Sequence, residues 1–227
     1  MSCRNPPTFI KVFVLHSTRT HPCSSENSHR FVLGNYYFSK TLSRIIPLSL
    51  FLQDLLMNYS LLSSPLQGFT DYIFRNAQQK FFGGIDTYYA PYIRYNRKMV
   101  IKGSYQRDLN PEANNTLTVI PQVMTADADA FIYTIKYIQS LGYNELNWNL
   151  GCPYPMVTNS GMGSGLISNT EKIDHILDRA HSETDVTISM KMRLGYENSN
   201  EILDAFPILD KYPLKNVAIH ARLGRQL

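Results

Sequence analysis

Long apolar runs are missing from this chain of 227 residues. None reaches the roughly 18 residues that a membrane-spanning helix needs, so no membrane partner is expected. Cysteine is scarce. Cys3, Cys23 and Cys152 form neither a disulfide framework nor a metal-ligand spacing. That implies a reducing compartment, hence a cytoplasmic protein, and no bound metal. Excess charge is also missing from most of the chain. The net charge is +4, yet residues 1–56 hold six Lys/Arg against two Asp/Glu, and residues 57–227 hold sixteen of each sign. The basic balance therefore belongs to the amino-terminal segment, and the body has no general basic groove for nucleic acid.

Residues 1–56 also lack a sustained period of 2 or 3.6 and are rich in Ser, His, Arg and Pro. His16, His21 and His29 share no helix face and fit no metal site. The run 45–57 loosely resembles the apolar part of a signal peptide, but it contains Asp54 and lacks a small-residue cleavage site. The expectation is a poorly ordered extension over 1–56, ahead of a folded domain over 57–227.

That domain alternates strand-like and helix-like segments. Strands are expected at 61–66, 86–92, 117–124, 145–150, 186–194 and 217–222. The helix between the first two strands has Ile73, Phe74, Ala77 and Phe81 on one face, with Thr70 as its cap. Thr125 is expected to cap the next helix, and Ser168 with Glu171 to form a capping box for the one after it. Pro207 should kink or shorten the last helix. Residues 94–115 read as a long polar loop with at most short helical pieces. Repeated strand–helix units with apolar strands argue for a parallel α/β sheet.

Polar residues recur at the carboxyl ends of those strands: Gln67, Gln122, Asn149 with Cys152, Lys191 with Arg193, and His220 with Arg222. One such strand end is unremarkable. A succession of them is what a barrel with a site at its carboxyl face requires. Cys152 stands out among them, in a tight Gly151-Cys152-Pro153 turn before the glycine-rich stretch Gly161, Gly163, Gly165. Lys191 and Arg193 alternate with Met190, Met192 and Leu194, so both point to one strand face. Two cations on an inner face are costly unless paired or bound to an anion, which points to an anionic ligand. Arg222 shares a face with His220 and again suggests an anion or a polar ring.

The stretches SPLQGFTDYIFR, NWNLGCP followed by GMGSGLI, SMKMRLG and AIHARLGR stand in this order along the body. Together they resemble the motifs of the tRNA-dihydrouridine synthase family. Ser64 and Leu66 depart mildly from its usual Ala and Met. The resemblance implies an α/β fold, the FMN-dependent (β/α)8 TIM barrel, with a helical carboxyl-terminal domain. It implies reduction of the C5–C6 double bond of uridine in tRNA, with NADPH reducing the flavin. Cys152 would then be the proton donor to uracil C5, and a thiol at its ordinary pKa of about 8.5 keeps its proton at neutral pH. The resemblance further implies that Pro65, Leu66 and Gln67 pass under the flavin with backbone contacts, and that Gln122 meets its ring edge. Lys191 would lie beside the N1–C2=O region and His220 beside the flavin or its phosphate. Asn149 and Arg193 would orient the flavin or a flipped uracil.

A complete barrel of this kind has eight strands in about 250 residues. Residues 57–227 supply six. The expectation is an incomplete (β/α)8 TIM barrel with about six of eight units. The glycine-rich phosphate loops of strands seven and eight and the helical domain would be missing, with weak FMN affinity and low or no activity. Two other readings fit the residues: a different FMN barrel of the dihydroorotate dehydrogenase kind, and a non-catalytic fragment.

Overall fold

The computed structural model describes residues 60–95 and 99–226. The expectation for residues 1–56 lies outside the described residues. Strand β1 (Leu62–Ser63) leads to helix α1 (Tyr72–Phe81) and strand β2 (Thr87–Tyr89). Helix α2 (Gly103–Asp108) and a 3-10 turn (Glu112–Asn114) follow, then short strands β3 (Val119–Ile120) and β4 (Gln122–Val123). Helix α3 (Ala128–Ser140), strand β5 (Glu145–Leu150) and helix α4 (Pro155–Thr158) come next. A second 3-10 turn (Gly163–Leu166) precedes helix α5 (Thr170–Glu183). Strand β6 (Thr187–Gly195), helix α6 (Glu201–Leu209) and strand β7 (Val217–Leu223) complete the order.

Every strand pair is parallel and sequential: β1-β2-β3, then β4-β5-β6-β7. β3 and β4 are the two halves of the expected third strand. Pro121 separates them, because proline has no N–H to give to a ladder. Its carbonyl still accepts from Asn147 N at 2.9 Å, and a bridge between Ile93 and Val123 spans the break. Six parallel strand positions with helices between them are the arrangement of part of a (β/α)8 barrel, as the alternating pattern indicated.

The two-residue strand period divides the sheet into faces. Leu146, Trp148, Leu150, Ile188, Met190 and Met192 point toward the helix layer and are wholly buried. Ile173, Ile176, Leu177 and Ala180 of α5 meet them. The Trp148 ring packs edge-on to Phe131 of α3 at 5.0 Å, and its indole N–H donates to the Thr125 carbonyl at 3.0 Å. Each such buried side chain stabilises the fold by about 1.5–3 kcal/mol over leaving it in water. Asn147, Asn149, Ser189, Lys191 and Arg193 occupy the opposite face.

The helix starts differ from the sequence expectation. Asp71, Asp127 and Asn169 are the caps of α1, α3 and α5, accepting from main-chain N–H groups of the first turn. Thr70, Thr125 and Ser168 are each one or two residues too early. Thr125 Oγ1 instead accepts from Asp127 N, and Thr70 Oγ1 from Leu66 N, so both hydroxyls close the approach turn. Asp and Asn caps satisfy the same free N–H groups, which is why composition alone does not separate neighbouring candidates. Helix α6 ends at Leu209 with Pro207 in its last turn.

Helix α1 is anchored through its polar side. Arg75 is 1% exposed and pairs with Asp108 at 3.0 Å. It also donates to the Thr70 and Asp108 carbonyls and to Asn114 Oδ1. Asp108 in turn accepts from Tyr72 N at 2.7 Å. The end of the 94–115 segment is therefore a polar bolt holding α1. Meanwhile Ile73, Phe74 and Phe81, the apolar stripe read as a packing face, are 61%, 45% and 73% exposed.

Burial raises the Asp108 carboxyl above its usual range even though Arg75 opposes the shift. Arg75→Met leaves that carboxylate buried without its cation, and is expected to cost about 3–5 kcal/mol of stability in urea unfolding. A carboxyl with a raised pKa in the folded state favours folding at low pH and disfavours it as pH rises. The deficit of Arg75→Met should therefore shrink as pH falls through the carboxylate range. A constant deficit would mean that Asp108 is not the group left exposed to the penalty.

Candidate active site

The candidate site is built at the carboxyl ends of β4, β5 and β6. Register decides which side chains meet there: Gln122 stands beside Asn147, Asn147 beside Ser189, and Asn149 beside Lys191. These polar groups are taken out of water, so each must find a partner. They do so as a relay. Asn147 Nδ2 donates to Ser189 Oγ at 3.0 Å, and Asn147 Oδ1 accepts from Gln122 Nε2 at 2.7 Å. Gln122 Oε1 then accepts from Asn149 Nδ2 at 2.9 Å. Asn149 Oδ1 accepts from Gly151 N at 2.9 Å and Cys152 N at 3.1 Å. The relay thus ends on the main chain of the cysteine turn.

The far side of that turn is held equally firmly. Cys152 O accepts from both Ser164 N and Ser164 Oγ at 3.0 Å. Gly163 has φ +57°, and a Cβ there would lie 2.5 Å from Cys152 O. Glycine is thus required on steric and conformational grounds. The glycine-rich stretch is a clamp on the cysteine turn. Cys152 itself is a free thiol, 8% exposed, packed among Met124, Val157, Met162 and Tyr92.

The two cations of β6 have different surroundings. Arg193 Nε donates to Gly151 O at 3.0 Å. Its Nη1 donates to Leu223 O at 2.6 Å and Gln226 O at 2.9 Å. Arg193 thereby ties the cysteine turn to the end of β7. Protein carbonyls account for its burial, and the reading of an anion beside both cations narrows to Lys191. Among the described residues the Lys191 ammonium has no hydrogen bond or ion pair. Burial, then Arg193, lower its pKa, and Cys152 acts in the opposite direction. It is a partly buried cation on the same strand face as Arg193.

The remaining sequence candidates lie around this rim. His220 pairs in register with Arg193 on β7 and is partly buried, whereas Arg222 is exposed. Pro65, Leu66 and Gln67 follow β1, and Leu66 is 58% exposed. The Leu66 main chain is already engaged, its N–H with Thr70 Oγ1 and its carbonyl with Phe69 N and Thr70 N. The described contacts bring Gln122, Asn149, Cys152, Lys191 and Arg193 into one constellation; Arg222 reaches it only through charge repulsion with Arg193, and Pro65, Leu66 and Gln67 are not joined to it. Sequence reasoning missed Tyr92 and Ser164. Tyr92 reads in the sequence only as part of the strand expected at 86–92. Its place after Ala90 at a strand end, level with Gln122, was the available signal.

Replacing Arg193 tests its tether. Arg193→Leu should lose about 2–5 kcal/mol of stability in urea unfolding, because three carbonyls lose their donor. Arg193→Lys should recover only part of this, since an ammonium does not reproduce the guanidinium fork. An Arg193→Leu protein as stable as its parent would return Arg193 to the role of anion binder.

The description "Dihydrouridine synthase (Dus)" belongs to a family model that matches residues 61–227. A tRNA-dihydrouridine(16) synthase of Pseudomonas syringae pv. tomato is 27% identical over 168 residues, covering 70% of this chain and 52% of that protein. A protein of the same name from Cupriavidus necator is 24% identical over 167 residues, covering 70% and 51%. The tRNA-dihydrouridine synthase B of Pseudomonas putida is 26% identical over 173 residues, covering 74% and 49%. The chain spans about half the length of the curated relatives it matches. The parallel β/α architecture, the four ordered motifs and a family match over residues 61–227 agree that the chain belongs to the dihydrouridine synthase family.

Proposed function

We propose that this chain bears the catalytic face of a tRNA-dihydrouridine synthase, an oxidoreductase that reduces the C5–C6 bond of a uridine in tRNA. The observation that supports it most is the position of Cys152. A protonatable thiol at a strand end is held from both sides, by Asn149 Oδ1 on its N–H and by Ser164 on its carbonyl. Holding a proton donor in a fixed place is what acid catalysis needs. The curated relatives bear names for tRNA work rather than for a free pyrimidine, which favours this reading over a dihydroorotate dehydrogenase.

The rim suits a flavin. Lys191 is a desolvated cation without a described counter-charge, the environment that an electron-rich ring edge would fill. Gln122 and Asn149 present amides beside it, and Pro65, Leu66, Gln67 and His220 would complete the FMN contacts. Reduced FMN, supplied with electrons by NADPH, would provide the hydride for C6. Cys152 would give its proton to C5. Asn149 holds the cysteine turn, Arg193 holds that turn to β7, and Lys191 sets the charge of the rim. The tRNA must present its uridine unstacked to reach a thiol only 8% exposed.

The test is reduction of an unmodified tRNA transcript by the chain with FMN and NADPH, with dihydrouridine measured in the product. Cys152→Ala should lower the yield at least about 100-fold, while NADPH oxidation without tRNA stays unchanged. An equally active Cys152→Ala protein, or turnover of dihydroorotate in place of tRNA, would overturn the proposal.

A further inference from the structure

Cys152 is an uncommon acid in one respect: giving up its proton leaves a thiolate in a mostly apolar setting. Met124, at 0% exposure, and Val157, at 3%, pack against it, with Met162 beside them. None of these offers a strong hydrogen-bond donor. The Cys152 N–H is occupied by Asn149, and the three described bonds of Arg193 go to carbonyls. A buried anion without donors is costly; besides the cations Lys191 and Arg193, which act on the sulfur from β6, a donor within its own cluster would meet that cost.

Tyr92 is the remaining member of that cluster, and it has an O–H. Its backbone is fixed by its neighbours. Ala90 N donates to Ile120 O at 2.9 Å, Ile93 N to Gln122 O at 2.7 Å, and Met124 N to Ile93 O at 3.0 Å. Tyr92 is thus held at the rim, level with Gln122 and Met124, with its partly buried side chain packed on the cluster of Met124, Cys152 and Val157.

We propose that the Tyr92 hydroxyl donates a hydrogen bond to Cys152 Sγ and holds the thiolate formed when Cys152 gives up its proton. Tyr92 is then a positioning residue for the acid and not itself the acid. The proposal rests on the reading of Cys152 as proton donor. In that step the S–H bond breaks and its electron pair stays on sulfur. The proton forms the new C–H bond at C5, while hydride forms the one at C6. A solvent proton later restores the thiol. Throughout, Tyr92 keeps its own proton. Burial, then the Cys152 sulfur, push the phenol up to about 12, with Tyr105 in the same direction and Arg94 opposed. It therefore remains a donor across the working range.

Lys191 and Arg193 also act on Cys152 from β6, so the test must separate the hydroxyl from these cations. The readout is the ultraviolet absorbance of the Cys152 thiolate against pH, taken as the difference between the full chain and its Cys152→Ser variant. This needs neither tRNA nor flavin. Tyr92→Phe keeps the ring and both cations and removes only the O–H. Its titration midpoint should rise by roughly one pH unit. If Tyr92→Phe does not fold, Tyr92→Met replaces it as the test. It also removes the O–H and leaves both cations in place, and should again raise the midpoint. An unchanged midpoint in the folded variant overturns the proposal. A shifted midpoint alongside tRNA reduction that Cys152→Ala leaves unchanged would keep the Tyr92–Cys152 pair intact and defeat only the proposed function.

Discussion

Everything at the strand ends depends on one carbonyl oxygen, Asn149 Oδ1. It accepts from the N–H groups of both Gly151 and Cys152, and so fixes the turn in which the thiol sits. Its other end is fixed in turn by Gln122, Asn147 and Ser189. The relay crosses three neighbouring strands. It can form because parallel register places β4, β5 and β6 with these side chains side by side on one face. Buried amides are expensive when half satisfied, so a fully paired chain of them specifies a single arrangement. The fold and the site are therefore one constraint. A register slip of one residue would turn the relay to the helix side and expose the apolar partners of Trp148.

Lys191 and Arg193 show how two identical formal charges on one strand face take different tasks. Arg193, 7% exposed, spends its donors on main-chain carbonyls and joins the cysteine turn to β7. Lys191 keeps its ammonium clear of described partners and loses basicity to burial. The guanidinium fork suits a multi-point tether, and the single ammonium suits a point charge facing a ligand. The anchoring of α1 follows a similar logic. Arg75 and Asp108 are tolerated in the interior only as a pair, with the Thr70 carbonyl and Asn114 accepting from the other Nη donors, while the buried Nε has no described partner.

Much of this was legible in the sequence because the period-two pattern is strong. β5 runs over 145–150 as the alternation of Leu146, Trp148 and Leu150 indicated, and the same alternation put Lys191 and Arg193 on one face. The clustering of Gln122, Asn149 and Cys152 followed from strand ends and the turn residues Gly151 and Pro153. Less legible were features set by tertiary contacts. The caps fell on Asp71, Asp127 and Asn169 because several adjacent residues were chemically able to cap. The stripe of Ile73, Phe74 and Phe81 suggested a core face, but the polar bolt around Arg75 faces inward instead. Tyr92 gave only the weak local sign of its place at a strand end, since its meaning comes from Cys152, 60 residues away in the chain. Nor does a strand pattern disclose that Arg193 finds the carbonyls of Leu223 and Gln226.

The measurement that tests the account most directly is a titration of FMN fluorescence with the purified chain and with Lys191→Met. A flavin site at this rim predicts saturable quenching by the chain and roughly tenfold weaker binding once the ammonium is gone. A flat titration, or equal affinity for both proteins, would contradict the assignment of the strand ends as a flavin site with Lys191 as its cation.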